Sequence, residues 1–511
     1  MCRLAGRSSA AAAGNHIGAR PLTRKWWPSL LCHGPLKPER LLPLIVATAL
    51  FIENMDSTAI ATSLPAIAAD LSVEPVELKL ALTTYLLALA VFIPISGWVA
   101  DRFGAKPTFM TAIGVFLLGS LGCAASTSLE WMVAARFLQG MGGAMMVPVG
   151  RLVLLRSVAK AELVRALSWL TIPALLGPIL GPLLGGLITT YSHWRFIFLI
   201  NLPMGALGIW LAWKYIPLLK GEVKPLDWTG FVLSGAGLAL SMFGLATLGR
   251  HMVGTWVALT CVAAGVAILV AYVLHARRHP HPLIDLDLLK LPTYRIGVMG
   301  GSLFRIGIGA IPFLLPLMLQ LGFGLNPLES GAVTFTSAAG AMFMKTLAAR
   351  ILKRFGFRKV LVFNAVAASL MLCTYGLFRP DTPYLLMVGI LLVGGCFRSL
   401  QFTSLNAIIY SEVDQARMGQ ATSLAAMVQQ VSLALGVTLG GYALSAASLA
   451  TGQATGAPIN FTFAFLTIGL VSASSVWTMW KLAPDAGAEM AGRAKPGEEV
   501  HEPKVVARPG T

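Results

Sequence analysis

A short charged segment lies between two long apolar runs, and it constrains the fold more than any other stretch of the chain. The segment covers residues 97–107 and reads GWVADRFGAKP, and the apolar runs cover 78–100 and 108–125. Each run is close to the roughly 20 residues that a membrane-spanning helix needs. The segment has too many charges for a hydrocarbon interior and is too short for a domain. We therefore expect two neighbouring antiparallel helices joined by a tight turn, called here the hinge segment.

The composition extends this interpretation to the whole chain. Of 511 residues, 56% are apolar and only 12% are charged, whereas soluble domains carry roughly 25% charged residues. From residue 41 onward we count fourteen apolar runs long enough to span a bilayer. The six cysteines are scattered singly, so no disulfide framework is indicated. We expect an all-α polytopic membrane protein with 14 transmembrane helices and the lipid bilayer as its first partner.

The charge distribution predicts the orientation of the chain. With the N-terminus inside, most of the 39 Lys and Arg residues fall in inner loops and tails, and the outer loops hold only Lys79, Arg250 and Arg379. Basic loops mark the cytoplasmic side of a membrane protein. The net charge of +17 is thereby explained without a nucleic-acid partner. We expect a multi-pass membrane protein with both termini in the cytoplasm.

A second basic turn reveals an internal repeat. Residues 353–359, KRFGFRK, follow the tenth run as residues 101–106, DRFGAK, follow the second. The spacing predicts two six-helix halves with a hairpin inserted between them, which is a common plan of secondary transporters. The expected parts are a basic tail at 1–40, a first half at 41–213, a hairpin at 228–275, a cytoplasmic linker at 276–295, a second half at 296–482 and a polar tail at 483–511.

Five ordered motifs carry a family resemblance. They are the hinge segment, the first-helix pattern from Met55 to Pro65, RFLQG at 136–140, GPILGPLLGG at 177–186 and WRFIFLINLP at 194–203. The chain resembles the major facilitator superfamily, and more narrowly its fourteen-helix drug:proton antiporters of the EmrB/QacA type, most of all the MdtD-type transporters. The first-helix motif departs from the usual pattern, since Ala61 and Ser63 replace Asn and Ala. The resemblance implies a protein of the bacterial inner membrane that works by alternating access between two six-helix halves.

Only two acids, Glu53 and Asp56, lie well inside a span. Charge is costly there without a task, and a proton-coupled carrier needs a carboxyl that gains and loses a proton. Asp56 is the family-matched position. Arg136 enters its own span from the same side at the same depth, about 9 Å by the helical rise. We therefore assign Asp56, Glu53 and Arg136 to proton coupling and predict an Asp56–Arg136 contact, which either switches or permanently joins two helices.

The second half carries bases instead. Arg305 and Arg398 lie mid-span, with Gln401 and Asn406 along the same helix as Arg398. An intramembrane base is expected to face the bundle interior or a wet cavity. These four residues either line a central substrate cavity and reach toward Glu53 and Asp56, or join helices to each other. Lys345, near the inner end of its span, is expected to extend to the cytoplasm.

Two further motifs are assigned to conformational change. By resemblance, Asp101 bonds across to the second half in the outward-facing state, and the gate comprises Gly97, Asp101, Arg102, Gly104 and Lys106. Gly97 is expected to permit close helix packing, and Gly104 a tight turn. The antiporter motif comprises Gly177, Pro178, Gly181, Pro182, Gly185 and Gly186, a run of small residues typical of a close, kinked helix contact.

The combined expectation is a drug:proton antiporter that exports hydrophobic, including cationic, small molecules. The alternatives are a dedicated exporter of one metabolite or organic anion, and a receptor or sensor that keeps the fold without transport. We expect no enzymatic activity and no cofactor, because the proton gradient drives the cycle. We also expect no metal site, since Pro280 and Pro282 interrupt the cluster of His275, His279 and His281 with Asp285 and Asp287. Small-molecule substrates and protons are the expected partners, a periplasmic adaptor stays undetermined, and the chain is expected to be a monomer.

Overall fold

The structure is a computed structural model that describes residues 38–157, 160–218, 225–248, 254–414, 417–488 and 490. The predicted tails at 1–40 and 483–511 fall mostly outside these ranges. Within them the chain is helical and contains no β-strand. Many large apolar side chains are exposed, for example Leu385 and Trp256, each 82% exposed, as expected for a surface that faces lipid.

Fourteen long helices make up the described bundle. In chain order they are α1 (Pro38–Ala59, extended by Leu64–Asp70), α2 (Lys79–Phe92, extended by Ser96–Phe103), α3 (Ala105–Ala124), α4 (Leu129–Ser157), α5 (Lys160–Tyr191), α6 (Asn201–Tyr215), α7 (Trp228–Thr247), α8 (Thr255–Arg278), α9 (Pro292–Gly309, extended by Ile311–Leu317), α10 (Pro327–Phe355), α11 (Phe357–Tyr375), α12 (Tyr384–Ile408), α13 (Met418–Thr451) and α14 (Pro458–Trp480).

Twelve of the described helices are long and apolar enough to cross a membrane. The other two are α5, whose described apolar part is Leu176–Tyr191, and α10, whose 29 residues include charges at both ends. Prolines account for the interruptions in α1, α2 and α9, because a proline removes a backbone donor and bends the helix. The thirteenth apolar run forms one helix of 34 residues.

The helices pack in two matching sets. In the first half, α1 packs against α5 and α6, α2 against α4, and α3 against α4 and α6. In the second half, α9 packs against α13 and α14, α10 against α12, and α11 against α12 and α14. Each pair recurs eight helices later, with α7 and α8 as an inserted hairpin beside α2 and α13. The predicted fold, two six-helix halves with an inserted hairpin, is confirmed.

The halves meet along α5–α10 and along α2–α13, which are equivalent pairs under the repeat. The hinge segment lies at one end of the bundle, here called the basic end. Among the described residues, the side-chain hydrogen bonds between halves lie at the other end: Gln320 Nε2 donates to Thr62 O at 2.7 Å, and Leu328 N donates to Thr190 Oγ1 at 3.0 Å.

The buried apolar side chains repeat this asymmetry. Leu64 and Phe313, from different halves, belong to one continuous cluster, whose first-half members lie at the end opposite the hinge segment. Toward the basic end the cores divide. Phe109 and Val149 belong to a first-half cluster, whereas Tyr294 belongs to a separate cluster of the second half. The halves are therefore joined more closely at the end opposite the basic end.

Lys79 does not lie in an outer loop, and that prediction was wrong. A 3-10 turn at Pro75–Leu78 precedes α2, so Lys79 begins the helix and is fully buried. Its ammonium lies 4.0 Å from the centre of the Tyr442 ring on α13. Lys79 thus belongs to the contact between the halves.

Candidate functional site

The predicted contact between Asp56 and Arg136 is confirmed. Arg136 Nη1 donates to Asp56 Oδ2 at 2.6 Å, and both side chains are essentially inaccessible to solvent. Asp56 comes from α1 and Arg136 from α4, and the helical rise brings them to one depth. The guanidinium of Arg136 also lies over the Tyr85 ring of α2, 4.3 Å from its centre. The pair therefore connects three helices of the first half.

Three further polar side chains surround the Asp56 carboxylate. Asp56 Oδ1 accepts hydrogen bonds from Gln139 Nε2 at 3.0 Å and from Asn201 Nδ2 at 2.7 Å. Gln139 in turn accepts from Arg136 and donates to Ser120 at 2.8 Å. All five side chains are fully buried. A buried polar network with such partners is rigid and specific, so this polar cluster holds the Asp56 side chain in a fixed position.

Glycines of α3 and α4 allow the backbones around this cluster to approach closely. A Cβ on Gly140 would lie 2.7 Å from Tyr85 O of α2. One on Gly119 of α3 would lie 2.5 Å from the backbone of Gln139. These distances are too short for a side chain, so both positions require glycine. The RFLQG motif therefore supplies two polar side chains and the close approach that they need.

Glu53 lies on the same face of α1, one turn before Asp56, in a different environment. Its side chain is half-buried, and its Oε2 is shielded from solvent without a hydrogen-bond partner among the described residues. A Cβ on Gly143 would lie 3.1 Å from the Tyr85 hydroxyl and 3.7 Å from Glu53 Cγ. Gly143 therefore leaves a space that Glu53 and the Tyr85 hydroxyl share. An unpaired carboxylate is costly to bury, so the neutral form of Glu53 suits this structure.

The antiporter motif on α5 faces two neighbours. Gly177, Gly181 and Gly185 contact α1, where a Cβ on Gly185 would lie 2.3 Å from Ala59 O. Gly186 instead contacts α10 of the other half, with its Cβ position 2.4 Å from Pro327 O. One face of the motif therefore seats the helix that carries Glu53 and Asp56, and the adjacent face closes the contact between halves. Pro182 belongs to this second face, since Gly331 of α10 packs on its carbonyl.

The two mid-span arginines of the second half, Arg305 and Arg398, have no acidic partner among the described residues. Arg305 is 1% exposed, donates to Asn406 Oδ1 at 3.0 Å and lies over the Phe402 ring, 5.6 Å from its centre. The Arg305 Nε has no hydrogen-bond partner among the described residues. Arg398 is half-buried. Neither forms an ion pair with Glu53 or Asp56 in the described structure.

Gln401 must be removed from the predicted substrate cavity. Its side chain is fully buried and contacts Asn364 and Leu361 of α11 and Met479 of α14. These contacts occupy its amide inside the second half, so it has no free group to offer a substrate. Asn406 is exposed and accepts the hydrogen bond from Arg305, and its place in the substrate cavity stays a prediction.

Comparisons with known proteins agree with this architecture. The sequence profile of the Major Facilitator Superfamily matches residues 46–437 and 297–507. The chain belongs to the major facilitator superfamily. It is similar to the transport protein HsrA of Haemophilus influenzae, with 35% identity over 87% of this chain and 96% of that protein. It is also similar to a Salmonella heidelberg protein that carries the name multidrug resistance protein MdtD, with 36% identity over 78% of this chain and 85% of that one.

Solved structures of major facilitator proteins share the fold at low identity. A D-xylose–proton symporter has a TM-score of 0.64 at 14% identity and covers 87% of this chain and 98% of its own. The human organic anion transporter MFSD10 has a TM-score of 0.58 at 14% identity, covering 86% and 99%. The recognition from sequence motifs is therefore confirmed, and the chain is a multi-pass membrane transporter by family.

The hinge segment of this major facilitator protein forms a tight turn with a local ion pair. Gly104 adopts φ +96°, in the left-handed region that favours glycine. Asp101 accepts from Arg156 of α4 at 2.6 Å, so it bonds within its own half here. A bond from Asp101 to the second half is predicted for the outward-facing state, and it stays a prediction. Lys106 donates to the Trp213 carbonyl at 2.5 Å, and Arg102 is exposed.

The role assigned to Gly97 is wrong in this structure. A Cβ at Gly97 would meet nothing within 4 Å, so close helix packing does not explain this glycine. The predicted repeat of the hinge segment at residues 353–359 agrees with the structure. Gly356, like Gly104, adopts a left-handed conformation, with φ +76°. The equivalent turns after α2 and α10 therefore share one backbone conformation.

Sequence reasoning missed the polar residues that complete the Asp56 cluster. Gln139 and Asn201 lie inside motifs quoted for the resemblance, and their fixed places in those motifs were the available signal. Trp194 and Arg195 of the same sixth-helix motif bind Asp70 at the far end of α1, with Arg195 Nη1 at 2.7 Å from Asp70 Oδ2. These motifs therefore act as a set of contacts to α1.

Proposed function

We propose that this protein exports hydrophobic small molecules, including lipophilic cations, in exchange for protons across the bacterial inner membrane. The observation that carries the proposal is the contrast between the two acids of α1. Asp56 is saturated by Arg136, Gln139 and Asn201, whereas Glu53 has an oxygen without a partner among the described residues. A carrier needs one carboxyl that can lose its proton, and Glu53 fits this requirement better than Asp56.

The orientation follows from the basic loops. We place the basic end and both termini in the cytoplasm, as the positive-inside rule favours. The halves are joined more closely at the other end, so the described form is the one that faces the cytoplasm. In this form a cationic substrate that enters beside Glu53 favours the carboxylate, and the proton leaves to the cytoplasm.

The return step completes the exchange. When the halves rock and the outer end opens, the cation leaves and the carboxylate again lacks a partner. Protonation from the outside then restores the neutral side chain. Asp56 stays paired with Arg136 throughout, and it holds α1 to α4 and α6 while the halves move as units. The relatives named for multidrug resistance support this substrate class.

An organic-anion exporter is the second candidate. Arg305 and Arg398 favour it, because a cation buried without an acid is costly unless an anion or a cavity compensates it. In this version the substrate binds to the second half, and Glu53 still carries the proton. The two candidates differ in the charge of the substrate and in the half that holds it.

Transport into proteoliposomes tests the proposal. With an imposed pH gradient, wild-type protein should accumulate ethidium, and Glu53→Gln should lose gradient-driven accumulation while retaining exchange of labelled for unlabelled ethidium. Glu130→Gln, a control at an exposed acid at the start of α4, should behave as wild type. Accumulation of fluorescein instead of ethidium would favour the anion candidate. Gradient-independent behaviour of the wild type with both dyes would contradict proton-coupled export.

A further inference from the structure

The start of the inserted hairpin, its end and the linker meet at one buried carboxylate. Asp227 caps the N-terminus of α7, where its Oδ1 accepts from Gly230 N at 2.7 Å. The same oxygen bonds His275 Nε2 at the end of α8, at 2.8 Å. Leu283 N in the linker donates to Oδ2 at 3.2 Å. Asp227 is 5% exposed, so its position is fixed by three separate segments.

A second histidine stands beside this contact. His279 ends α8 as its cap and is one helical turn beyond His275, so the two rings share a face, with centroids 5.2 Å apart. The sequence had indicated that Pro280 and Pro282 would break this face. The helix instead continues through Arg278, and the acid that faces the histidines is Asp227 rather than Asp285 or Asp287.

We propose that Asp227, His275 and His279 bind one divalent cation of the zinc type at this junction. One donor atom from each residue lies within 4.8 Å of the other two. Ligands about 2.1 Å from a tetrahedral zinc ion are about 3.4 Å apart, so small side-chain rotations bring the three together. Two imidazoles and one carboxylate are a donor set that suits Zn²⁺ and its transition-metal neighbours and leaves a fourth position for water.

The environment of Asp227 and His279 favours a bound ion over the direct contact between Asp227 and His275. Hydrogen bonds from Gly230 N and Leu283 N hold the two oxygens of the Asp227 carboxylate in place before any ion arrives. His279 Nδ1 accepts only a long hydrogen bond from His281 N, at 3.2 Å in an exposed turn. Binding through either ring nitrogen gives up that weak contact at small cost.

A bound ion would join the two ends of the hairpin at the point where the linker to the second half begins. The linker that leaves this site carries Asp285, which pairs with Arg417 next to the start of α13 at 2.6 Å. Further along, Thr293 bonds Glu412 at 2.8 Å. The ion would therefore stiffen the junction between the hairpin and the helices that rock, and it needs no part in the transport chemistry.

Metal binding to tag-free, full-length protein in detergent tests this proposal directly. After removal of metals with a chelator, wild-type protein should bind one Zn²⁺ by calorimetry, and Co²⁺ should give the visible absorption of a tetrahedral site. His279→Gln should weaken binding by about tenfold or more, because even lesser perturbations of a metal site cost about 10–100-fold. His281→Gln is the matched control, since it alters the neighbouring histidine outside the donor set, and it should bind as wild type.

Limited trypsin digestion gives an independent readout. Zn²⁺ should slow cleavage after Arg277 and Arg278 in wild type and in His281→Gln, but not in His279→Gln. If His275→Gln fails to fold because it releases Asp227, His279→Gln alone decides. No Zn²⁺ bound by the wild type, or unchanged stoichiometry and affinity in His279→Gln, would overturn the site.

Discussion

The two halves of the bundle pack their helices in the same pairs but treat buried charge differently. In the first half, Arg136 meets a carboxylate at 2.6 Å inside a buried cluster in which Gln139 and Asn201 also donate to that carboxylate. In the second half, Arg305 is equally buried, yet it meets only the Asn406 amide and an aromatic ring. The repeat therefore preserves the scaffold and not the electrostatics.

The same contrast appears where the halves touch. Gly331 at the start of α10 packs against Pro182 of α5, and Lys79 occupies the equivalent place at the start of α2. There it packs beside Gly441 and Tyr442 of α13. One of the two equivalent interfaces is thus sealed by backbone contact and the other by a long side chain. The first is the less adaptable of the two.

The largest effect should follow from Asp56→Asn. This change leaves the Arg136 guanidinium buried without a carboxylate, which costs about 3–5 kcal/mol of stability. We expect a strongly lowered unfolding temperature in detergent and loss of all transport, including exchange. The double variant Asp56→Leu with Arg136→Met removes both charges and should regain much of the stability. A stable, exchange-competent Asp56→Asn protein would mean that the pair is not a permanent joint.

Matched arginine variants compare the halves directly. Arg136→Met should destabilise by a similar amount, about 3–5 kcal/mol, because it leaves Asp56 uncompensated. Arg305→Met should change stability by only about 1 kcal/mol, since the lost bond to Asn406 is offset by relief of a buried charge. Thermal unfolding of both variants measures the difference. Equal destabilisation would show that Arg305 has a partner as strong as Asp56.

Adjacent glycines separate packing within a half from packing between halves. Gly186→Ala clashes with α10 and should cost about 1–3 kcal/mol in the described form only. It should therefore shift the protein toward the form in which the outer end is open. Gly185→Ala clashes with α1 of its own half and should lower the unfolding temperature without that shift. Distances between spin labels across the outer ends of α5 and α10 report the outcome, and equal distances in both variants would refute the distinction.

The smallest effect is expected at the hinge segment. The Asp101–Arg156 pair is partly exposed at the basic end, and such pairs contribute about 0–1 kcal/mol. Asp101→Asn should therefore leave the unfolding temperature within about two degrees of wild type, while it slows transport if Asp101 also bonds in the outward-facing form. A large loss of stability would show that the pair holds the half together.

Sequence alone predicted the parts of the site that depend on depth along a helix. The constant rise per residue placed Asp56 beside Arg136, and the repeat of basic turns predicted the two halves. It could not predict partners set by lateral packing, such as Asn201, which reaches Asp56 from another helix. It misplaced Lys79 because hydropathy does not show where a 3-10 turn begins. It also missed Asp227 beside His275, because the two residues are 48 positions apart in the sequence and the hairpin between them brings them together.

Proton release on substrate binding measures most directly whether Glu53 carries the exchanged proton. In weakly buffered detergent solution, addition of tetraphenylphosphonium to wild-type protein should release protons as the cation displaces the one on Glu53. Glu53→Gln should bind the cation with no proton release. We predict this loss of proton release. Proton release from Glu53→Gln equal to that of wild type would contradict it and return the proton to Asp56 or to another group.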